Sequence, residues 1–195
     1  MASKPEPKHR PRNAAATREA ILESAIHNFA RAGYDGVGVR DIAKDAGVTA
    51  MLVNRYFGSK QQLFAEAVET SFAIPAVIAA DADDLPHGAA TALVARTNPG
   101  ADALAPFLIM LRSVSNARAA EIVRDAIEHH VGRRLARQLP QSGRHLRAEV
   151  MLSLIAGILL MRRVIATHAL NEADPEQLVN MLEAAFTAIV ETPLA

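Results

Sequence analysis

The side chains with the most specific chemistry lie between residues 49 and 57. If residues 50–57 form a helix, its bulky apolar side chains share one face and its polar ones another, since residues three and four apart lie together. Asn54 can then make paired hydrogen bonds to adenine, Arg55 can do so to guanine or grip a phosphate, and Met or Ala can contact a thymine methyl. This chemistry predicts a base-reading face that consists of Ala50, Met51, Asn54 and Arg55.

Two further side chains are suited to the sugar–phosphate backbone. Thr49 precedes the predicted helix, where its hydroxyl can cap the helix or bind a phosphate. Lys60 is placed at the start of the next helix, where an ammonium group and free N–H groups can clamp one phosphate and add affinity rather than specificity. The full set of residues that we expect to contact DNA is Arg40, Thr49, Ala50, Met51, Asn54, Arg55, Tyr56 and Lys60.

The elements that must position these side chains are two short helices joined by a tight turn. Ala43 is small where the two helices cross, Gly47 permits a positive φ in the turn, and Val53 is apolar where the second helix rests on the first. This spacing predicts a helix-turn-helix. A longer helix is predicted before it, over Thr17–Ala32, with the hydroxyl of its first residue as cap and a glycine after its end.

Three motifs at these spacings resemble the tetracycline-repressor (TetR) family. They are Asp41-Ile42-Ala43, Ala46-Gly47-Val48-Thr49 and Tyr56-Phe57-Gly58-Ser59-Lys60, the last followed by Leu63-Phe64. The resemblance covers about residues 14–70. It implies a homodimeric, repressor-like protein that binds a palindromic operator in double-stranded DNA and releases it when a small ligand binds the C-terminal domain.

The chain departs from the family pattern at two places. Val37 and Gly38 stand where the family usually has Thr or Ser, so the hydroxyl that caps the first helix of the motif and binds phosphate is missing. Asn54 stands where members often have Tyr, so base recognition at this position follows the chemistry of an amide. We therefore expect contacts to DNA that differ in detail from those of the family.

Composition predicts the all-α class. Half of the residues are hydrophobic and only 4% are aromatic, and the apolar share is mostly Ala, Leu, Ile, Val and Met, which suits packed helices. Cysteine is absent, which excludes disulfides and thiolate chemistry and agrees with a cytoplasmic location. The apolar run Val150–Met161 is too short to cross a bilayer, and Met1–Arg12 has no apolar stretch that would act as a secretion signal.

The net charge of zero conceals two unlike halves. Residues 1–60 hold ten Lys and Arg against six Asp and Glu, whereas residues 61–195 hold eleven against fifteen. A positive half suits a polyanionic partner. We expect a disordered basic tail over residues 1–13, which either contacts DNA or is simply solvated. The tail is followed by a three-helix DNA-binding domain over residues 14–60, here called the head. After the head comes a ligand-binding and dimerisation domain over residues 61–195, here called the body.

The body is predicted to consist of helices. Asp81–Gly100 contains Pro and Gly at several positions and is expected to be its least regular part. Asp102 and Asp174 are predicted to cap helices, and Pro175 is predicted to occupy a first turn. The predicted helices are Gln61–Ile74, Ala89–Ala95, Ala101–Ser115, Ala117–Leu139, Leu146–His168 and Pro175–Glu191.

The last two of these helices are expected to form a homodimer interface. Leu108–Ser113 and Leu154–Arg163 are similar to one common TetR C-terminal domain, and such proteins dimerise by packing their final two long helices as a four-helix bundle. Leu146–His168 has almost no polar face, so both of its sides need cover. We therefore predict a homodimer through Leu146–His168 and Pro175–Glu191. The alternative is a helix fully buried within one subunit.

A cavity between the body helices would suit a small hydrophobic ligand. Arg112, Arg162 or Arg163 could supply a polar contact to it. The alternative is that these residues are plain core and surface charge. The cavity is predicted to be lined by Phe107, Met110, Leu111, Val114, Ile127, Val131 and Leu159.

The sequence shows no pattern of a catalytic or metal-binding site. His129 and His130 are adjacent, about 100° apart on a helix, and cannot readily bind one metal. No Ser/His/Asp set, glycine-rich phosphate loop or carboxylate pair indicates an enzyme, and no cofactor is expected. The sequence thus predicts a ligand-released repressor. The alternatives are a dimeric DNA-binding regulator without a ligand, and an enzyme whose head resembles the family by accident.

Overall fold

A computed structural model of the chain describes residues 11–73, 84–97 and 104–194. All regular secondary structure within these ranges is helical, which confirms the predicted all-α class with a helix-turn-helix head and a larger helical body. Within the same ranges, every helix is too short or too polar to span a membrane.

The first helix is longer than the sequence predicts. α1 extends over Pro11–Ala32, so it begins before Thr17 and inside the segment expected to be disordered. Proline has the backbone angle that suits a first helical position, and the alanines at positions 14–16 are strong helix formers. Thr17 therefore lies within α1 and does not cap it. The tail over residues 1–10 lies outside the described residues.

The remaining helices of the helix-turn-helix match their predictions closely. α2 covers Val39–Asp45 and α3 covers Ala50–Phe57. The turn between them contains Gly47, whose φ of 68° lies in the left-handed region as predicted. α4 covers Lys60–Ala73 and continues into the body.

In the middle of the body, one helix is longer than predicted and the next is shorter. α5 covers Leu85–Arg96, because Asp84 caps it by accepting a hydrogen bond from the His87 N–H at 3.2 Å. The predicted helix over residues 101–115 is observed as α6, Ala105–Ser113. The predicted cap Asp102 lies outside the described residues.

Both long helices of the prediction are interrupted by wider π-helical turns. α7 covers Ala117–Ala126 and passes through a π-helical segment, Ile127–Gly132, into α8, Arg133–Ala136. α9 covers Arg144–Leu159 and passes into a second π-helical segment, Leu160–Val164. A π-helical turn adds one residue per turn, which a 3.6-residue sequence pattern does not register.

The chain then turns and forms its last two helices. Ala166 has a φ of 58°, so the helix predicted to reach His168 ends before this residue. The short α10 covers His168–Glu172, and α11 covers Pro175–Glu191 as predicted. The carboxylate of Asp174 caps α11 by accepting from the Gln177 N–H at 3.0 Å, which confirms the predicted cap.

Two apolar clusters hold these helices together. The head core contains buried side chains of α1–α4 and also Ile109, Ala119 and Val123 from α6 and α7. The body core joins α5, α6, α8, α9 and α11 around residues such as Phe107 and Phe186. α6 contributes to both cores, so the head is packed directly on the body.

Candidate nucleic-acid interface

α2 and α3 pack closely on each other and on α1. Ala43 and Val53 are buried where the two helices meet, and the Val48 N–H donates to the Ala43 oxygen at 2.9 Å across the turn. The buried amide of Asn28 on α1 donates to Asp45 Oδ2 at 2.8 Å. The spacing singled out in the sequence therefore does hold two helices against a third.

α3 presents the predicted reading face to solvent. Thr49 is its N-cap, as predicted, and its Oγ1 accepts from the Leu52 N–H at 3.4 Å. Met51 is 80% exposed, and Asn54 and Arg55 are exposed beside it. Within the described ranges, neither polar side chain is engaged in a hydrogen bond or ion pair. Both are therefore available to base edges or phosphates.

Two members of the predicted set on α3 lie closer to the protein interior. Ala50 and Tyr56 are half-buried and pack against the head core. Val53 and Phe57 are buried on the same side of α3. The side of α3 that remains free is therefore formed chiefly by Met51, Asn54 and Arg55.

The exposed face of α2 carries two cations. Arg40 lies in the first turn and Lys44 in the last, and both are exposed. They are four residues apart and so share one face of the helix. Lys44 was not among the residues predicted to contact DNA, although the spacing that pairs it with Arg40 is visible in the sequence.

The start of α2 is capped by a carboxylate instead of a hydroxyl. Gly38 is the N-cap, and its N–H donates to Asp41 Oδ2 at 2.9 Å. The departure seen at Val37 and Gly38 thus leaves the helix capped from within. An anionic side chain here repels a phosphate group, so we do not assign a phosphate contact to the backbone N–H groups at this helix start.

Lys60 begins α4 as predicted, and its side chain lies on an aromatic ring. Ser59 precedes it, and the Ser59 Oγ accepts from the Gln62 N–H at 3.2 Å, which caps the helix. Lys60 Nζ lies 4.4 Å from the centroid of the Tyr34 ring. Lys60 therefore stands at the helix start as predicted, while its ammonium group lies over a ring and Ser59 binds one of the N–H groups there.

The predicted ligand-pocket residues are distributed between the two cores. Phe107 and Leu159 are buried in the body core. Val114 lies just after the end of α6, is 51% exposed and belongs to neither core, so it does not line an interior cavity. The other four are half-buried against one or both cores: Met110, Leu111, Ile127 and Val131.

The three arginines considered as ligand contacts instead bind the ends of helices. Arg112 Nη1 donates to the Arg31 oxygen at 2.9 Å and also to the oxygen of the preceding residue, at the end of α1. Arg162, only 4% exposed, donates to Thr97 Oγ1 at 2.6 Å just after α5, and Arg163 Nη1 to the Arg96 oxygen at 3.4 Å. Burial, with Arg163 nearby, lowers the pKa of Arg162.

One polar contact that the sequence did not indicate joins α5 to α11. His87 Nδ1 lies 2.7 Å from Glu183 Oε2, beside an open groove of about 430 Å³ between the two helices. The hydrogen bond and then the charge of Glu183 raise the pKa of His87. Neither this pair nor any other set of His, Asp and Glu in the described part of the chain forms a metal-binding group of three or more.

Family models match both parts of the chain. Residues 21–67 match the model for bacterial regulatory proteins of the tetR family, and residues 83–190 match a tetracyclin repressor-like C-terminal domain. The chain is 42% identical over 53 residues to the HTH-type transcriptional regulator BetI of Agrobacterium fabrum, covering 27% of this chain and 26% of BetI. It is 35% identical over 75 residues to the HTH-type transcriptional repressor SCO4008 of Streptomyces coelicolor, covering 38% and 39% of the two chains. The matches thus span well under half of these relatives.

Solved structures share the whole fold. A TetR-family regulator from Streptomyces coelicolor, SCO0857, superposes with a TM-score of 0.57 at 26% identity over 95% of this chain and 99% of that one. The multidrug binding protein EbrR superposes with a TM-score of 0.67 at 20% identity over 99% and 100% of the two chains. Because the C-terminal model alone matches more than half of the sequence, the chain belongs to the tetR family of bacterial regulatory proteins.

Proposed function

We propose that this protein is a dimeric, sequence-specific DNA-binding repressor of transcription that a small apolar ligand releases from its operator. The observation that carries the proposal is the exposed and unpaired face of Met51, Asn54 and Arg55 on α3. The second helix of a helix-turn-helix enters the major groove. DNA as the partner implies a cytoplasmic location.

The proposed roles in base recognition and phosphate binding follow from the side-chain chemistry. Asn54 and Arg55 read adenine and guanine through paired hydrogen bonds, and Met51 contacts a thymine methyl. Arg40 and Lys60 bind phosphates, which contributes affinity that falls with salt. Specificity therefore depends on α3, and non-specific affinity depends on the cations around it.

An exposed apolar stripe supports the proposed dimer. Leu146 is 56% exposed at the start of α9, Val150 lies one turn further and is also exposed, and Met161 follows on the same face. A Cβ built on Gly157, within this stripe, meets no atom within 4 Å, so a partner helix can approach closely there. On α11, Met181 is 72% exposed. A twofold axis would let these surfaces cover one another.

The position of α6 supports the proposed release by a ligand. Phe107 lies in the body core and Ile109 in the head core, so α6 touches both. The Tyr34 N–H donates to Ser113 Oγ at 3.0 Å, which ties the end of α6 to the turn after α1. A ligand that displaced Phe107 would therefore shift the support of the head. EbrR, with the same fold, is described as a multidrug binding protein.

A regulator without a ligand is the second candidate. The observation that favours it is that Arg112, Arg162 and Arg163 are all engaged with helix ends rather than directed into a cavity. A library of apolar compounds distinguishes the two candidates through the melting temperature. A compound that raises the melting temperature and lowers DNA affinity supports release, since it binds the folded protein. The absence of any shift across the library supports the second candidate.

DNA binding itself is tested by selecting genomic fragments with the purified protein. We expect the bound fragments to share a palindrome whose half-sites lie about 34–36 Å apart, or somewhat more, on one face of the duplex. The Asn54→Ala/Arg55→Ala double variant should lose this selection. Arg133→Ala, which removes an exposed cation from α8 in the body, is the matched control and should retain it. Fragments without any shared sequence would contradict the proposal.

A further inference from the structure

Two cations in the head lie over aromatic rings, but only one of them is also ion-paired. Arg18 lies 4.7 Å from the centroid of Phe57 and forms an ion pair with Glu66 at 2.5 Å. Lys60 Nζ lies 4.4 Å from the centroid of Tyr34, and no carboxylate in residues 11–73, 84–97 or 104–194 pairs with it. A ring face attracts a cation without neutralising it. Lys60 therefore retains its charge for a second partner.

The Tyr34 ring is itself held from two directions. It packs edge-on against Phe64, with ring centroids 4.9 Å apart, and lies 6.3 Å from Phe29. Its backbone N–H donates to Ser113 Oγ, a buried hydroxyl at the end of α6. The head core and the body together therefore determine where the ring lies.

We propose that Tyr34 is a positioning residue for Lys60: its ring, docked on the body through Ser113, holds the ammonium group in place for a DNA phosphate. A lysine loses much of its rotamer freedom when it is fixed on a phosphate. A lysine that already rests on a ring has lost part of that freedom before DNA binds, so its contact is stronger. The inference rests on the proposed function, because it requires that Lys60 meets DNA.

The contact between ring and lysine is tested first without DNA. A methylene group above an aromatic ring resonates upfield, so the Lys60 Cε protons should be shifted in the NMR spectrum of the whole protein. Tyr34→Phe should keep the shift and Tyr34→Leu should remove it. An unshifted Lys60 signal in the unaltered protein would overturn the proposal whether or not the protein binds DNA.

The consequence for DNA binding is tested by weakening the attraction between the ring face and the Lys60 ammonium group while the shape of the ring is nearly preserved. Tyr34→Phe, followed by phenylalanines at position 34 with increasing numbers of fluorines, lowers the negative charge of the ring face. DNA affinity should fall roughly two- to fivefold along the series, and the salt dependence should become shallower. In the Lys60→Ala background the series should have no effect. Equal losses in both backgrounds would overturn the proposal.

The ring under Arg18 provides a matched control. The same fluorine series at Phe57 should leave the salt dependence of DNA binding unchanged, because Arg18 is already paired with Glu66. An unaltered protein that binds no DNA at all would contradict the proposed function. If the unaltered protein binds DNA normally and DNA affinity is the same for every ring at position 34, only the role of Tyr34 is contradicted.

The docking on the body is tested by Ser113→Ala. This change removes the acceptor of the Tyr34 N–H and should lower DNA affinity only when Lys60 is present. Ser71→Ala is the matched control, since Ser71 is also buried but donates only within α4, to the Ala67 oxygen at 2.7 Å. A loss from Ser113→Ala that is independent of Lys60 would contradict this step.

Discussion

The head and the body of this protein encode their roles in different ways. In the head, the helix with the exposed polar face is shaped by residues close in sequence: Thr49 caps the helix that carries Asn54 and Arg55. In the body, important contacts join residues far apart, such as His87 with Glu183 or Arg162 with Thr97. Because contacts between neighbouring residues shape α3, its exposed face can be predicted from the sequence. The contacts of the body can be identified only once its helices are packed together.

The strongest test of a locally encoded head is the removal of its reading side chains. Asn54→Ala and Arg55→Ala should each reduce affinity for the selected operator by about 1–3 kcal/mol per lost base contact. Affinity for random DNA should change much less, and the melting temperature should not change, because both side chains are exposed. Fluorescence anisotropy on both duplexes measures this difference. Equal losses on both duplexes would mean that these residues do not read bases.

The packing of the head against the body is tested at Gly33, which lies against Arg112 of α6. Its φ is 71°, and a Cβ there would collide with the backbone oxygen of Arg112. Gly33→Ala should therefore reduce the free energy of unfolding by more than the ~1–2 kcal/mol of a left-handed alanine. Gly47→Ala is the matched control, since Gly47 has a φ of 68° and open space around it. If urea denaturation gave the same loss of unfolding free energy for both variants, the contact of Gly33 with Arg112 would not be tightly packed.

The surface assigned to the dimer is tested by placing a charge on it. Val150→Glu should weaken the dimer at least tenfold, about 1.4 kcal/mol, because a twofold axis would bring two desolvated carboxylates together. Val114→Glu makes the same change at an exposed site outside the stripe and should leave the dimer intact. Sedimentation velocity measures both. A dimer unaffected by Val150→Glu would place the interface elsewhere.

A smaller effect separates affinity from specificity within the head. Lys60→Ala should weaken binding to operator and random DNA alike and reduce the slope of log affinity against log salt by about one. Titrations at several salt concentrations measure it. A loss confined to the operator would instead assign Lys60 to base reading.

The smallest expected effect is a pH dependence in the body. Glu183 raises the pKa of His87, so the pair stabilises the fold fully below the unfolded pKa of histidine and loses its effect as pH rises through the raised value. The melting temperature of Glu183→Gln should therefore lie below that of the unaltered protein near pH 5.5 and approach it near pH 8.5. A difference that grows with pH would contradict the pairing.

The accuracy of the sequence predictions follows the same division. The α3 helix, its Thr49 cap and the Asp174 cap were predicted correctly, because each depends on residues within one helical turn. The start of α1 was predicted too late, because a threonine cap was given more weight than the alanines before it. The end of α9 was predicted too far along the chain, because a π-helical turn and the strained Ala166 have no sequence pattern.

The sequence by itself determined the helix-turn-helix, the exposed face of its second helix and the family, since caps, turns and helical faces depend on neighbours a few residues away. Only the tertiary structure decided what the arginines of the body bind and that Lys60 rests on Tyr34. Those contacts join residues more than 20 positions apart, and no local rule of backbone geometry selects one distant partner over another. They exist because two apolar cores bring the helices together and leave polar groups that must find partners.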